Sequence, residues 1–236
     1  MNLLQQTKIF VSQGTNTICI IKKSILFFVF IAFAFLAFSQ QVSIVPQPSH
    51  VIHQNGVFKF QEVITFQLFG IDEDFLSAGI QQLKDEFDND FGVKLERGEA
   101  AEILIGIQDK DENFRKLCLK NDLLKSDDLG EQGYELKISK RRIIIAANSA
   151  QGLFYGIQTL KQLIRSAEEK QLSCLFIHDV PVLKYRGVMD DISRGPIPTM
   201  EFMKYQIRRL AELKINMFSF YIEHVVKTKK HPGFAP

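Results

Sequence analysis

The side chains best placed for chemistry in this 236-residue sequence lie towards its C-terminus. Arg186, Asp190, Asp191 and Arg194 fall close together, and Glu223 and His224 follow a short apolar run. An arginine carries a rigid planar fork of donors, so Arg186 can pair with Asp190 or Asp191 or hold a ligand. Asp191 and Arg194, three residues apart, read first as a structural ion pair. For Glu223 and His224 two readings stand: a catalytic or ligand-binding pair, or an exposed polar pair of the kind that loops after strands carry.

Other chemistries find no residues. His50 and His53 have no third ligand nearby and no His-Glu-x-x-His occurs, so neither zinc nor another metal is indicated. There is no Gly-rich phosphate loop, no Gly-x-Ser-x-Gly and no cysteine set for nucleophilic catalysis, and no cofactor is expected. Cys118 and Cys174 could form one bridge, but no spacing argues for it. Lys227, Lys229 and Lys230 make a short charge run that reads as a solvated loop.

With 46% apolar residues and a formal charge of +2, the chain is neither a disordered polymer nor a polytopic membrane protein. Lys22 and Lys23 precede 14 consecutive apolar residues, 25–38, and Ala37 and Ser39 supply small residues for a signal peptidase. A membrane-crossing helix needs about 20 such residues, so residues 1–39 read as a cleaved secretory signal peptide, with an uncleaved anchor as the alternative. Export to the periplasm, the cell surface or the exterior follows, with membrane contact only through that segment. Without residues 1–39 the chain holds 26 basic and 27 acidic side chains, which gives no reason to expect a nucleic-acid partner.

The elements that must position these residues start after Gln40. Residues 42–45, 57–60, 63–68 and 103–107 read as strands by alternation or apolar content. Phe75, Leu76, Ile80, Leu83 and Phe87 form one helical face, with Asp72 or Asp74 as cap and Gly92 as stop. Residues 109–131 are charge-rich and read as a surface excursion with one helical turn near 114–119. Residues 134–138 and 143–146 suggest a hairpin about the turn 139–142. A helix follows, capped by Asn148, with Leu153, Phe154, Ile157, Leu160, Leu163 and Ile164 as its buried stripe. Residues 166–172 are polar and read as a domain boundary. Residues 185–192 and 217–222 then read as strands flanking a helix capped by Thr199, with Phe202, Ile207, Leu210 and Leu213 as its apolar face. Strand, helix, strand at this spacing is a βαβ unit.

Two segments resemble the β-N-acetylhexosaminidases of glycoside hydrolase family 20. GYELKIS (133–139), IIIAA (143–147) and AQGLFYGIQTLKQL (150–163) are similar to the strands and helix that close that family's N-terminal accessory domain. IHDVP (177–181) and YRGVMDDISR (185–194), continuing to KIN (214–216), resemble the entry into its catalytic barrel. The resemblance implies a zincin-like α+β accessory domain, a mixed sheet with helices, over residues 40–172. An incomplete (β/α)8 TIM-barrel start would occupy 173–236. Arg186 matches the arginine that binds hydroxyls of the terminal sugar, and Asp191 and Arg194 match an Asp-x-Ser-Arg sequence. Glu223 and His224 become further substrate-binding candidates, while Tyr221, His224 and Gly195 depart from the family pattern.

The resemblance also implies the reaction. In that family a Glu protonates the glycosidic oxygen, and the neighbouring Asp orients the substrate's own acetamido group for attack on the anomeric carbon, a retaining, substrate-assisted route. The partner would be an N-acetylhexosamine-containing glycan. A (β/α)8 barrel takes about 250 residues, and only 52 run from Tyr185 to Pro236. No Asp-Glu pair follows Tyr185; the pairs at 72–73, 85–86 and 111–112 lie in the accessory region. The expectation is therefore the N-terminal part of a secreted hydrolase, inactive alone. The alternative is a non-catalytic exported module that binds glycans or another protein.

Overall fold

The computed structural model describes residues 43–123, 127–223 and 229–234. The expected signal peptide and His224 lie outside the described residues, all of which belong to the unit Ser43–Pro236. Among them, no helix is long and apolar enough to cross a membrane.

Seven strands form one mixed sheet: β1 (His50–Lys59), β2 (Val63–Phe69), β3 (Lys94–Arg97), β4 (Ile103–Ile107), β5 (Tyr134–Ile138), β6 (Ile143–Ala147) and β7 (Gln171–Asp179). Their spatial order is β1-β7-β5-β6-β4-β2-β3. The side containing β3, β2, β4 and β6 is parallel; β5, β7 and β1 pair antiparallel. Three helices cover it: α1 (Glu73–Phe91), α2 (Glu112–Lys120) and α3 (Ala150–Arg165).

Every residue of β4 and β6 is buried, as their unbroken apolar sequences require of parallel strands covered on both faces. Leu104, Ile144 and Ala146 pack with Phe114 and Cys118 of α2. Ile145, one residue out of phase and so on the opposite face, meets α3. There a Cβ at Gly156 would stand 2.5 Å from Ile145 Cγ2, so glycine sets how closely the helix approaches. Helix α1 lies on α3 through Gly79, whose Cβ would be 3.1 Å from the Phe154 ring. Each large side chain buried in this way contributes roughly 1.5–3 kcal/mol.

Several expectations are corrected. Residues 43–45 are not a strand: Val45 is instead held by the side-chain amide of Gln162 on α3, which accepts from Val45 N and donates to Val45 O, both at 2.8 Å. Phe75 is 74% exposed and not on the buried face of α1. The 109–131 stretch is no mere excursion, since Asp111 caps α2, which buries Phe114 and Cys118. Ser149, not Asn148, caps α3, its hydroxyl accepting from Gln151 N and Gly152 N. The expected boundary between Leu172 and Ser173 falls inside β7, which joins β1 to β5, so the sheet runs on to Asp179. β1 begins at His50, seven residues earlier than expected, and β3 was not foreseen.

After the sheet, β8 (Gly187–Asp191), α4 (Met200–Glu212) and β9 (Met217–Tyr221) form a parallel two-stranded unit, as the spacing predicts. Thr199 caps α4, its hydroxyl accepting from Phe202 N at 3.2 Å. The helix does not bury the expected stripe: Phe202, Ile207 and Leu213 are 53%, 48% and 40% exposed. Its one buried residue is Glu212, bonded to Arg165 of α3 and to Arg209.

Candidate functional site

The predicted site residues fall into two groups at opposite ends of β8 and β9. Arg186 precedes β8, whereas Asp191, Arg194, Tyr221 and Glu223 lie at or beyond the strands' C-terminal ends. At about 3.3 Å per residue, the five residues of β8 put roughly 16 Å between the ends.

At the N-terminal end, Arg186 knits the two sheets together. Its Nε donates to Lys214 O (2.8 Å), and its Nη1 donates to Gln132 Oε1 (2.8 Å) and Leu183 O (2.5 Å). The guanidinium carbon stands 5.3 Å from the centroid of the Tyr155 ring, on α3. Its backbone N–H donates to Asn216 Oδ1, and its carbonyl accepts from the N–H groups of Asn216 and Met217. Asn216 Nδ2 donates in turn to Lys184 O at 2.8 Å. The Nη2 atom is buried without a protein partner.

Beside Arg186 lies a buried polar cluster that sequence reasoning missed. Lys214 Nζ reaches Asp179 Oδ2 at 2.7 Å and donates to Tyr134 Oη at 2.9 Å; Tyr134 Oη and Thr159 Oγ1 are 2.6 Å apart. The Lys214 and Asp179 side chains are only 7% and 13% exposed. Burial pushes the Asp179 carboxyl up, but the Lys214 charge and the hydrogen bonds it accepts outweigh this and hold it below its ordinary value. Burial brings Lys214 down, with Asp179 opposing the change. Burial and the Asp179 charge push the Tyr134 hydroxyl well up. The signal that could have found this cluster was the acid and base embedded in IHDVP and KIN, both apolar contexts.

At the C-terminal end, Asp191 and Tyr221 are register partners. Asp191 Oδ1 accepts from Ser193 Oγ (2.5 Å) and Ser193 N (3.0 Å), while Arg194 Nε is 3.6 Å from Asp191 Oδ2. The Ser193 bonds, more than Arg194, hold the Asp191 carboxyl below its ordinary value. Tyr221 donates to Glu223 Oε1 at 2.9 Å, and that bond pushes the Tyr221 hydroxyl up. Arg194 is 80% exposed. The structure thus brings Asp191, Arg194, Tyr221 and Glu223 to one end and leaves Arg186 at the other. No group of three His, Cys, Asp or Glu among the described residues is placed to hold a metal ion.

The family model for glycosyl hydrolase family 20, domain 2, matches residues 41–180, more than half of the chain. The chain belongs to glycosyl hydrolase family 20. Within that family, it is similar to a beta-hexosaminidase of Porphyromonas gingivalis, 35% identical over 116 residues, an alignment that covers 44% of this chain and 15% of that protein. A Vibrio furnissii beta-hexosaminidase is 35% identical over 95 residues, 40% of this chain and 15% of the relative. Among solved structures, the Flavobacterium johnsoniae chitobiase aligns with a TM-score of 0.66 at 24% identity, covering 82% of this chain and 30% of that one. The Vibrio harveyi exo-β-N-acetylglucosaminidase, solved with N-acetylglucosamine, gives 0.63 at 24% identity over 81% and 28%. These structural likenesses establish the fold. The family 20 chain therefore spans under a third of these two solved relatives and about a sixth of the two curated ones.

Proposed function

We propose that these residues belong to an exported β-N-acetylhexosaminidase that removes terminal non-reducing N-acetylhexosamine from glycans. The mixed sheet serves as the zincin-like accessory domain, residues 1–39 as the export signal, and β8–α4–β9 as the opening of a (β/α)8 barrel. The observation that carries this reading is the run of the family-matched sheet, residues 41–180, directly into a parallel strand-helix-strand unit. Barrel enzymes place their chemistry at the C-terminal ends of the strands. Asp191, Arg194, Tyr221 and Glu223 occupy that end, so they are the substrate-facing candidates of this chain, with His224 next in sequence. Arg194 takes the role of hydroxyl-binding fork that the sequence suggested for Arg186.

The reaction is the substrate-assisted one: the acetamido oxygen of the sugar attacks the anomeric carbon with retention, and an acidic Glu protonates the leaving oxygen. The residues at the ends of β8 and β9 bind and orient the sugar, and the Asp-Glu pair comes from a later strand.

Turnover of an aryl N-acetylglucosaminide tests the proposal. The 236-residue chain is expected to be inactive. The gene product read onward through a later adjacent Asp-Glu pair is expected to turn over and to lose most activity on Arg194→Ala. Turnover by the 236-residue chain, or an inactive longer product, overturns the reading. N-terminal sequencing of the exported protein tests the signal, with a start near Gln40 expected.

A further inference from the structure

A crevice in the accessory domain, remote in sequence from β8 and β9, has the form of a ligand site. In sheets with parallel strands, ligands settle outside the carboxyl ends of two neighbours whose following segments leave for opposite faces. Strands β2 and β4 are such a pair. They are parallel neighbours, with Phe66 opposite Ile103 and Phe69 opposite Gly106. Strand β2 leads into α1, which lies on α3 against the Ile145 face, while β4 leads into α2, which packs on the Leu104 and Ile144 face.

At this divergence lies a cavity of about 540 Å³, lined by Gly70, Ile71, Asp72, Phe75, Lys110 and the end of β4. That volume falls within the range of small-molecule sites, roughly 300–1,000 Å³. Its floor is set by a close approach of the two loops: Gly70 has φ +66, and a Cβ there would stand 2.7 Å from Lys110 Cβ. The chemistry of the lining is mixed. Phe75, which the helical pattern would bury, is 74% exposed. Asp72 precedes α1 without giving it a side-chain cap, and neither Asp72 nor Lys110 forms a salt bridge among the described residues.

We infer that this crevice is a second glycan-binding site, holding a neutral pyranose unit. An exposed aromatic face suits the C–H face of a sugar ring, and one carboxylate beside one ammonium gives an acceptor and a donor for hydroxyls. An anionic ligand is disfavoured, because the Asp72 carboxylate lines the crevice and offsets the single positive charge of Lys110. The inference goes beyond the hydrolase reading, since the crevice acts by holding a glycan to the accessory domain whatever the chemistry at β8 and β9.

The test is a titration of the purified, 15N-labelled chain with N,N'-diacetylchitobiose and, separately, with cellobiose. Amide shifts are expected at Gly70, Ile71, Asp72 and Lys110. Phe75→Ala and Lys110→Met should each weaken binding by about tenfold or more, as loss of a central contact does, with Tm unchanged. Absence of shifts with both sugars, shifts confined to residues 191–223, or affinity unchanged in both variants overturns the inference. Shifts at 191–223 that accompany those at the crevice leave the inference standing and bear on the hydrolase reading, so the two ideas fail separately.

Discussion

β4–β6 and β8–β9 are both parallel pairs of five-residue strands, yet their surroundings differ completely. All ten residues of the first pair are buried, and none of the second is. Met189 and Met217 are 67% and 55% exposed, where Ile105 and Ile145 are fully covered. Parallel sheets owe their stability to cover on both faces. The second pair is held to the molecule by polar contacts instead: the Arg186 bonds, Lys214 with Asp179, and Glu212 with Arg165. One half of the molecule is organised by apolar burial and the other by a few directional contacts.

The contrast can be broken most severely at the polar joint. Lys214→Met leaves the Asp179 carboxylate buried without its cation, which costs about 3–5 kcal/mol in comparable cases. Hydrogen exchange is expected to quicken in β8 and β9 while β4 and β6 stay protected; equal protection throughout would sink the polar-joint account. Next in size, Ile145→Ala in the apolar half should cost about 2–5 kcal/mol in urea denaturation. Met189→Ala in the exposed pair should stay within about 0.5 kcal/mol. A smaller effect separates two carboxylates by pH. Asp179 is held low when folded, so its stabilisation is present above its unfolded pKa and lost as pH falls through the folded value. Glu135 is pushed up by burial, against the partial opposition of His178. Its contribution is present at low pH and lost as pH rises through the folded value. Asp179→Asn should therefore lose stability mainly near neutrality, whereas Glu135→Gln should gain there and converge with the parent in acid. The smallest change is Arg194→Ala, expected within about 0.5 kcal/mol of the parent melting profile; Arg186→Met, at the joint, should be distinctly worse.

The same contrast explains what the sequence made legible. Strands β2 and β4, the β5–β6 hairpin and helix α3 announce themselves because their apolar period matches the environment that covers them. Residues 42–45 carry a strand-like pattern, but the amide of Gln162 replaces a neighbouring strand, and no local pattern encodes a partner 117 residues away. Strand β3 buries only Leu95, and β7 opens on the polar Gln171 that marked a boundary. Phe75 fits its helical stripe by spacing alone and sits at the lip of a crevice that only the tertiary arrangement creates. At the candidate site, residue types were legible and their end of the strand was not. Arg186 and Arg194 lie eight residues apart in one motif, and only the direction of β8 shows that one lies before the strand, against the seven-stranded sheet's helix α3, and the other beyond its C-terminal end.

Strand β1 has a consequence for how the protein is made. Among the described residues its sole strand neighbour is β7, with His50 opposite His178, so the first strand of the sheet to be synthesised waits for the last. At about 5–20 residues per second, that interval is roughly 6–25 s. During it β1 lacks its β7 partner, so this edge of the sheet cannot close until the chain has been made as far as Asp179.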